Sequence, residues 1–278
     1  MASYLKKNAQ NLLKKYKTRP SKRFGQNFLV DKKTLNRIVR TAGLKKKDIV
    51  LEIGPGIGIL TQELARKAKK VIAIEKDYKL CEILKEKLND LKNIKIIHGD
   101  ILKIKNSKLE MRDYKIVANL PYYIVSPVIR RFLEIKNPPK EMILMVQKEV
   151  GQRICAKPPK MNLLAVSVQF YAKAKILFFV PKTSFWPQPK VDGAVIKIVT
   201  RDKKQEISIN RDLFFKIVKA GFSQPRKQIA NNLSKMLKLK KEDIKEWLLE
   251  NGVKPSRRAE ALNTKDWINL TKSYIIIQ

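Results

Sequence analysis

Histidine is nearly missing. The 278 residues hold one, His98, and two cysteines, Cys81 and Cys155, far apart in the chain. A structural zinc site takes about four nitrogen or sulfur ligands, so no metal site is expected. Neither cysteine has CxxC spacing, and two buried thiols in a reducing cytosol are expected rather than a disulfide. No apolar run approaches the roughly 18 residues that span a membrane, so no membrane segment is expected. Acidic residues are scarce too: 25 Asp and Glu stand against 61 Lys and Arg, a formal net charge of +36. Such an excess repels itself in a compact chain and becomes useful against a polyanion. Nucleic acid is favoured, because each neutralised phosphate releases counterions. Charge does not separate DNA from RNA, and a solubilising lysine bias is the plainer alternative. No acidic residue precedes Asp31. Residues 1–30 also lack an apolar signal-like core, and being Lys-rich and Ser-poor they read as a basic arm for RNA rather than a transit segment.

What is present is a rhythm. From residue 48, short Ile/Val runs alternate with helical spacing: "DIVLEIGPG", "ILTQELARKA", "KVIAIEKD", "YKLCEILKEKLNDL", "IKIIHGD", "YKIVANLPYY", "SPVIRRFLEI", "EMILMVQ". Continuous apolar strands between helices predict a mainly parallel sheet covered on both faces. Ser126 reads as the N-cap of the helix in "SPVIRRFLEI", with Pro127 in its first turn. "NLLAVSVQFYA" reads as helical, and "KILFFVP" and "GAVIKIVT" as closing antiparallel strands. Residues 201–209 read as a linker, and only helical segments follow. The expectation is a Rossmann-like α/β domain over 31–200 and a small all-helical domain over 210–278.

Polar features recur at the strand ends. Gly54, Gly56 and Gly58 follow the first strand, where glycines let backbone approach a ligand. Position 59 is Ile, so the dinucleotide fingerprint G-x-G-x-x-G fails. Glu75 ends the second strand at the distance where a carboxylate takes ribose hydroxyls. Asp100 ends the third, placed to accept from an adenine amino group. Taken singly, Glu75 also reads as a surface acid and Asp100 as a turn residue. His98 reads as structural.

The fourth strand ends in "NLPYY". Suppose the ligand is S-adenosylmethionine, whose methyl group needs an in-line nucleophile. An adenine amine is a poor one, because its lone pair is delocalised into the ring. The Asn119 side-chain carbonyl and the Leu120 backbone carbonyl, aimed at its two hydrogens, would pull it toward a pyramidal shape. Pro121 biases Leu120 toward extended geometry, and Tyr122 offers a stacking face. This is catalysis by positioning rather than by a general base. A strand cap with a proline turn accounts for the same residues about as well. In "FFVPKTSFWPQPKVDGAV", Phe185 offers a second wall for a base held out of its stack. Burial against the sheet is the plain reading of that loop, more for Trp186 than for Phe185.

"GQNFLVD", "LEIGPGIGILT", "IEKD", "GD", "NLPYYI", "FWPQPKVDGAV", "AGFSQPRKQIANNL" and "RRAEAL" fall in order across nearly the whole chain. Together they resemble the small-subunit ribosomal RNA adenine N6,N6-dimethyltransferases. The resemblance implies S-adenosylmethionine as donor and, as substrate, two adjacent adenines in the 3′-terminal hairpin loop of small-subunit rRNA. It implies a partner in a pre-ribosomal particle, a monomer and a cytoplasmic setting. Gln26, Asn27 and Leu29, with Gly54, Gly56, Gly58, Glu75, Asp100 and Asn119, would hold the donor. Tyr122 and Phe185 would flank the target adenine. The chain departs from the usual pattern at Tyr123, where Asn is frequent, and at Pro225 and Ala230, where basic residues are. Large-subunit rRNA methylases of the resistance type share the donor site, and "RKQIANNL" and "RRAEAL" weigh against them. A DNA adenine methylase fits less well, for it would carry proline where Leu120 stands. An assembly factor that no longer needs catalysis is the alternative from another class.

Overall fold

The computed structural model describes residues 2–105, 109, 111–201 and 209–274. They form two compact units, Met1–Gly151 with Lys175–Thr200, and Gln152–Ala174 with Arg201–Gln278. In chain order the first unit begins with α1 (Ala2–Lys15), β1 (Phe28–Leu29), α2 (Lys32–Thr41), β2 (Ile49–Ile53), α3 (Ile59–Lys67), β3 (Lys70–Glu75) and α4 (Tyr78–Lys87). β4 (Ile94–His98), β5 (Tyr114–Asn119), α5 (Val125–Glu134), β6 (Glu141–Gln147) and α6 (Lys148–Ile154) follow. Then come α7 (Leu163–Tyr171), β7 (Ala172–Val180), β8 (Phe185–Trp186) and β9 (Gly193–Thr200). The chain ends in α8 (Arg211–Gly221), α9 (Ile229–Leu237), α10 (Lys241–Glu250) and α11 (Thr264–Ser273).

Seven strands form one sheet in the order β4-β3-β2-β5-β6-β9-β7. β2, β3, β4, β5 and β6 run parallel, and β9 is antiparallel to β6. The central strands are buried on both faces because their Ile, Val and Leu runs leave no polar side to show water. The order reverses between β2 and β5, each of which leads into its own crossover. That reversal opens a crevice at the carboxyl ends of the strands.

The basic arm expected over residues 1–30 is instead shaped. Leu5, Ala9, Leu12 and Leu13 recur at helical spacing on α1 and, with Tyr16 just past its end, cluster with Leu80 and Ile83 of α4 and with Phe28 and Ile57. Charge hides this stripe in composition, since the other face is lysine-rich. β1 pairs antiparallel with β8, Phe28 opposite Trp186 and Leu29 opposite Phe185. α5 does not start at a Ser126 cap. A 3₁₀ turn, Tyr122–Ile124, runs directly into Val125, and Pro127 stays within the first turn.

The helical unit takes in residues 152–174, which the sequence rhythm had assigned to the sheet domain. The cause is aromatic packing: Phe170 of α7 lies 4.2 Å from Phe214 and 5.7 Å from Phe215, centroid to centroid. Trp247, Trp267 and Tyr274 complete this core. The linker expected at 201–209 lies mostly outside the described residues. Among the described residues no helix is long and apolar enough to cross a membrane.

Candidate functional site

The crevice above β2, β3, β4 and β5 is a cavity with about 1020 Å³ of atom-free space, its open mouth included. Its floor is the turn after β2. Gly54 and Gly56 have φ of 67° and 61°, a region that side chains avoid. A Cβ on Gly56 would stand 3.0 Å from the Phe28 ring. The Gly56 amide donates to Glu75 Oε2 at 3.0 Å. Glu75 Oε1 accepts from the amides of Lys76 and Asp77 at 2.8 and 2.9 Å. Burial pushes the Glu75 carboxyl up, and these three amides hold back only part of that shift. A carboxylate offers about four acceptor positions, so one remains for a ligand hydroxyl. Gly58 is a correction: it does not line the cavity. Its φ is 78° at the cap of α3, and a Cβ there would meet Leu84 at 2.8 Å, so glycine serves helix packing.

Asp100, just past β4, lines the same cavity. Its Oδ2 pairs with Lys76 Nζ at 2.9 Å, and its Oδ1 accepts from the Leu102 amide at 3.0 Å. Partial burial pushes this carboxyl up, but Lys76 and the amide more than offset that, and it sits below the usual range. Arg131 of α5 donates to the carbonyls of Ile101 and Ile104, clamping the loop that carries Asp100. His98 is solvent-exposed, edge-on to Tyr78, and does not line the cavity.

The end of β5 supplies the polar tip. Asn119 Nδ2 donates to the Asn27 backbone carbonyl at 3.1 Å. Only the amide NH₂ can donate there, so that bond fixes the side chain and leaves Oδ1 as the acceptor to spare. The Leu120 amide donates to Met145 O at 3.2 Å, tying the turn to β6. Pro121, at φ −55° and ψ 130°, then sets the Leu120 carbonyl. Tyr122 follows, half-buried, its hydroxyl buried without a partner and pushed up by burial and then by Glu149 and Asp192.

A strap, residues 21–29, closes one side. Gln26 Oε1 accepts from the Ser21 amide at 2.7 Å, and Gln26 Nε2 donates to Asp77 Oδ2 at 2.9 Å. This hooks the strap over the end of β3. Asn27 Nδ2 donates to Gly25 O at 3.2 Å. Leu29 and Phe185 face each other in the β1–β8 ladder, and both line the cavity. Phe185 is 3 % exposed, more buried than Trp186, the reverse of the expected order.

Every expected site residue except Gly58 therefore lines one cavity. Sequence reasoning missed Glu52. It sits inside an apolar strand, is 1 % exposed, lines the cavity, and keeps Oε2 buried without a partner. Burial pushes its carboxyl up to about 8; the Thr61 hydroxyl opposes this and Glu75 adds to it. A carboxyl inside a strand of Val, Leu and Ile was the signal available. A buried acid with a spare oxygen suits a cationic ligand, and Glu75 and Asp100 suit a nucleoside. S-adenosylmethionine has both parts, so the residues present fit it.

A family model described as "Ribosomal RNA adenine dimethylase" matches residues 17–275. The chain is 42 % identical over 275 residues to "Ribosomal RNA small subunit methyltransferase A" of Dehalococcoides mccartyi (strain CBDB1), covering 98 % of this chain and 94 % of that one. It is 42 % identical over 274 residues to the protein of the same name from Anoxybacillus flavithermus, covering 95 % and 93 %. Among solved structures, a dimethyladenosine transferase from Plasmodium falciparum aligns with a TM-score of 0.74 at 26 % identity, over 89 % of this chain and 97 % of that one. The 23S rRNA methyltransferase ErmE aligns with a TM-score of 0.71 at 26 % identity, over 88 % and 98 %.

Proposed function

The chain belongs to the ribosomal RNA adenine dimethylase family, whose members are methyltransferases, and on that premise we propose that it dimethylates N6 of two adjacent adenines in the 3′-terminal hairpin loop of small-subunit rRNA. The observation that carries the chemistry is the hydrogen bond from Asn119 Nδ2 to Asn27 O, which turns Asn119 Oδ1 into a fixed acceptor. When bound, the donor S-adenosylmethionine would supply a methyl group from a sulfonium and depart as a neutral thioether. Glu75 would hold its ribose, Asp100 its adenine amine, and Glu52, once ionised, would offset its positive charge.

The target amine meets Asn119 Oδ1 and the Leu120 carbonyl. In the first transfer each would accept one of its two hydrogens and turn its lone pair toward the methyl group; in the second, one hydrogen remains for them to hold. Tyr122 and Phe185 hold the base. Taking the methyl group would leave the amine positive. The two carbonyls stabilise that charge before its proton passes to water. The small-subunit target is supported by the names of the 42 % identical relatives; the ErmE likeness, at lower identity, favours large-subunit RNA less.

The test is methyl transfer from labelled S-adenosylmethionine to under-methylated small-subunit particles, with mass spectrometry of the hairpin. Dimethyladenosine at two neighbouring positions is expected. Label on protein-free large-subunit RNA and none on the particle would overturn the assignment.

A further inference from the structure

Tyr122 and Tyr123 are neighbours with opposite fates. Tyr122 is half-buried with its hydroxyl inside, whereas Tyr123 is 53 % exposed. Of the large exposed apolar side chains among the described residues, Tyr123 alone lines the cavity. Its ring rests against the strap, 3.5 Å from where a Gly25 Cβ would be. The strap carries Arg23, exposed, with its guanidinium 6.0 Å from the centroid of Phe24, which also lines the cavity. Lys76 lines the same cavity as Tyr123. Lys76 is committed to Asp100 at 2.9 Å, whereas the exposed Arg23 of the strap is free to meet a phosphate. The mouth thus offers a bare aromatic face and a guanidinium, on a chain whose net charge is +36. Nothing in the donor site or the base slot uses either group.

We propose that Tyr123 and Arg23 form a subsite for the nucleotide adjoining the target adenine in single-stranded RNA. Its base stacks on the exposed Tyr123 ring and its phosphate meets Arg23. Unpaired RNA bases are held on aromatic faces with backbone phosphates on nearby cations, and the ring needs no fixed hydrogen-bond pattern. The inference rests on the dimethylase reading and extends it. With two adjacent targets, the subsite holds one adenine while the other reacts, so exchange between the two positions needs no release of the hairpin.

The probe is an RNA hairpin carrying 2-aminopurine beside the target adenine, bound to the full-length protein. Wild type and Tyr123→Phe are expected to quench its fluorescence; Tyr123→Leu is not. On small-subunit particles, Tyr123→Leu is expected to raise KM for RNA about tenfold, close to 1.4 kcal/mol. S-adenosylmethionine affinity should stay within about twofold, and thermal melts should show all variants folded. Arg23→Ala should lower the slope of log affinity against log salt by about 0.7, one contact to a single strand. Unchanged quenching and KM in Tyr123→Leu would overturn the subsite. So would an equal loss of donor affinity, which would make the ring part of the donor's enclosure. Failure of wild type to methylate the particle would instead sink the dimethylase reading, so the two failures are distinguishable.

Discussion

Replacing Glu52 with Gln isolates one proton. In the folded chain this carboxyl titrates at about 8, against 4.5 for the free group, chiefly because it is buried. Between those values the folded state holds a proton that the unfolded state has lost. Stability from this group is therefore complete below about pH 4.5, falls as pH rises, and levels off above about 8. At 1.36 kcal/mol per pH unit the window corresponds to at most about 5 kcal/mol. Glu52→Gln keeps the shape and removes the titration. Urea unfolding of both proteins at pH 5.5, 7 and 9, following the transition that melts the sheet, gives the difference directly. Between pH 5.5 and pH 9 the Gln variant should gain about 3 kcal/mol of stability on wild type. A difference that stays flat with pH would refute the buried-acid assignment. The donor adds a second readout. A cation beside Glu52 favours the ionised form, so binding near pH 7 should release up to one proton in wild type and none in the variant. Calorimetry in two buffers of different ionisation enthalpy measures this.

Asn119→Ala should lower kcat about 10²-fold, as loss of a preorganised transition-state contact does, with donor affinity by calorimetry changed little. Gly221→Ala places a methyl group 2.3 Å from the Trp267 ring. It should cost about 1–3 kcal/mol, read as a lower midpoint for the helical unit. Glu141 is raised by burial, but Lys197 at 2.5 Å and Lys115 at 2.9 Å more than offset this and hold it low. Its contribution is present above the ordinary Glu range and fades as pH falls. Glu141→Gln should therefore cost about 3 kcal/mol at pH 7 and much less at pH 3, by urea midpoint.

The seven main strands were legible because each is a run of Ile, Val or Leu between helical segments. The acids and glycines at their ends pointed to one crevice. The two-residue ladder between Leu29 and Phe185 was not legible, for two residues have no period and their partners are distant in sequence. α1 was masked by its lysines. Residues 152–174 were misassigned because local spacing says nothing of Phe170 meeting Phe214. Glu52 escaped notice because its strand was read as one continuous apolar run and only the acids at strand ends were weighed. Gly58 matched a motif position yet serves the contact with Leu84.

The bond from Asn119 to the Asn27 carbonyl joins the group that reads the base to a segment more than ninety residues earlier. A chain trimmed of its first 27 residues to ease expression would keep its sheet and its NLPYY sequence intact. It would nonetheless lose turnover, because the amide would be free to rotate and present hydrogens where an oxygen is needed. Shortening from the amino end is therefore a mutation of the catalytic motif by other means.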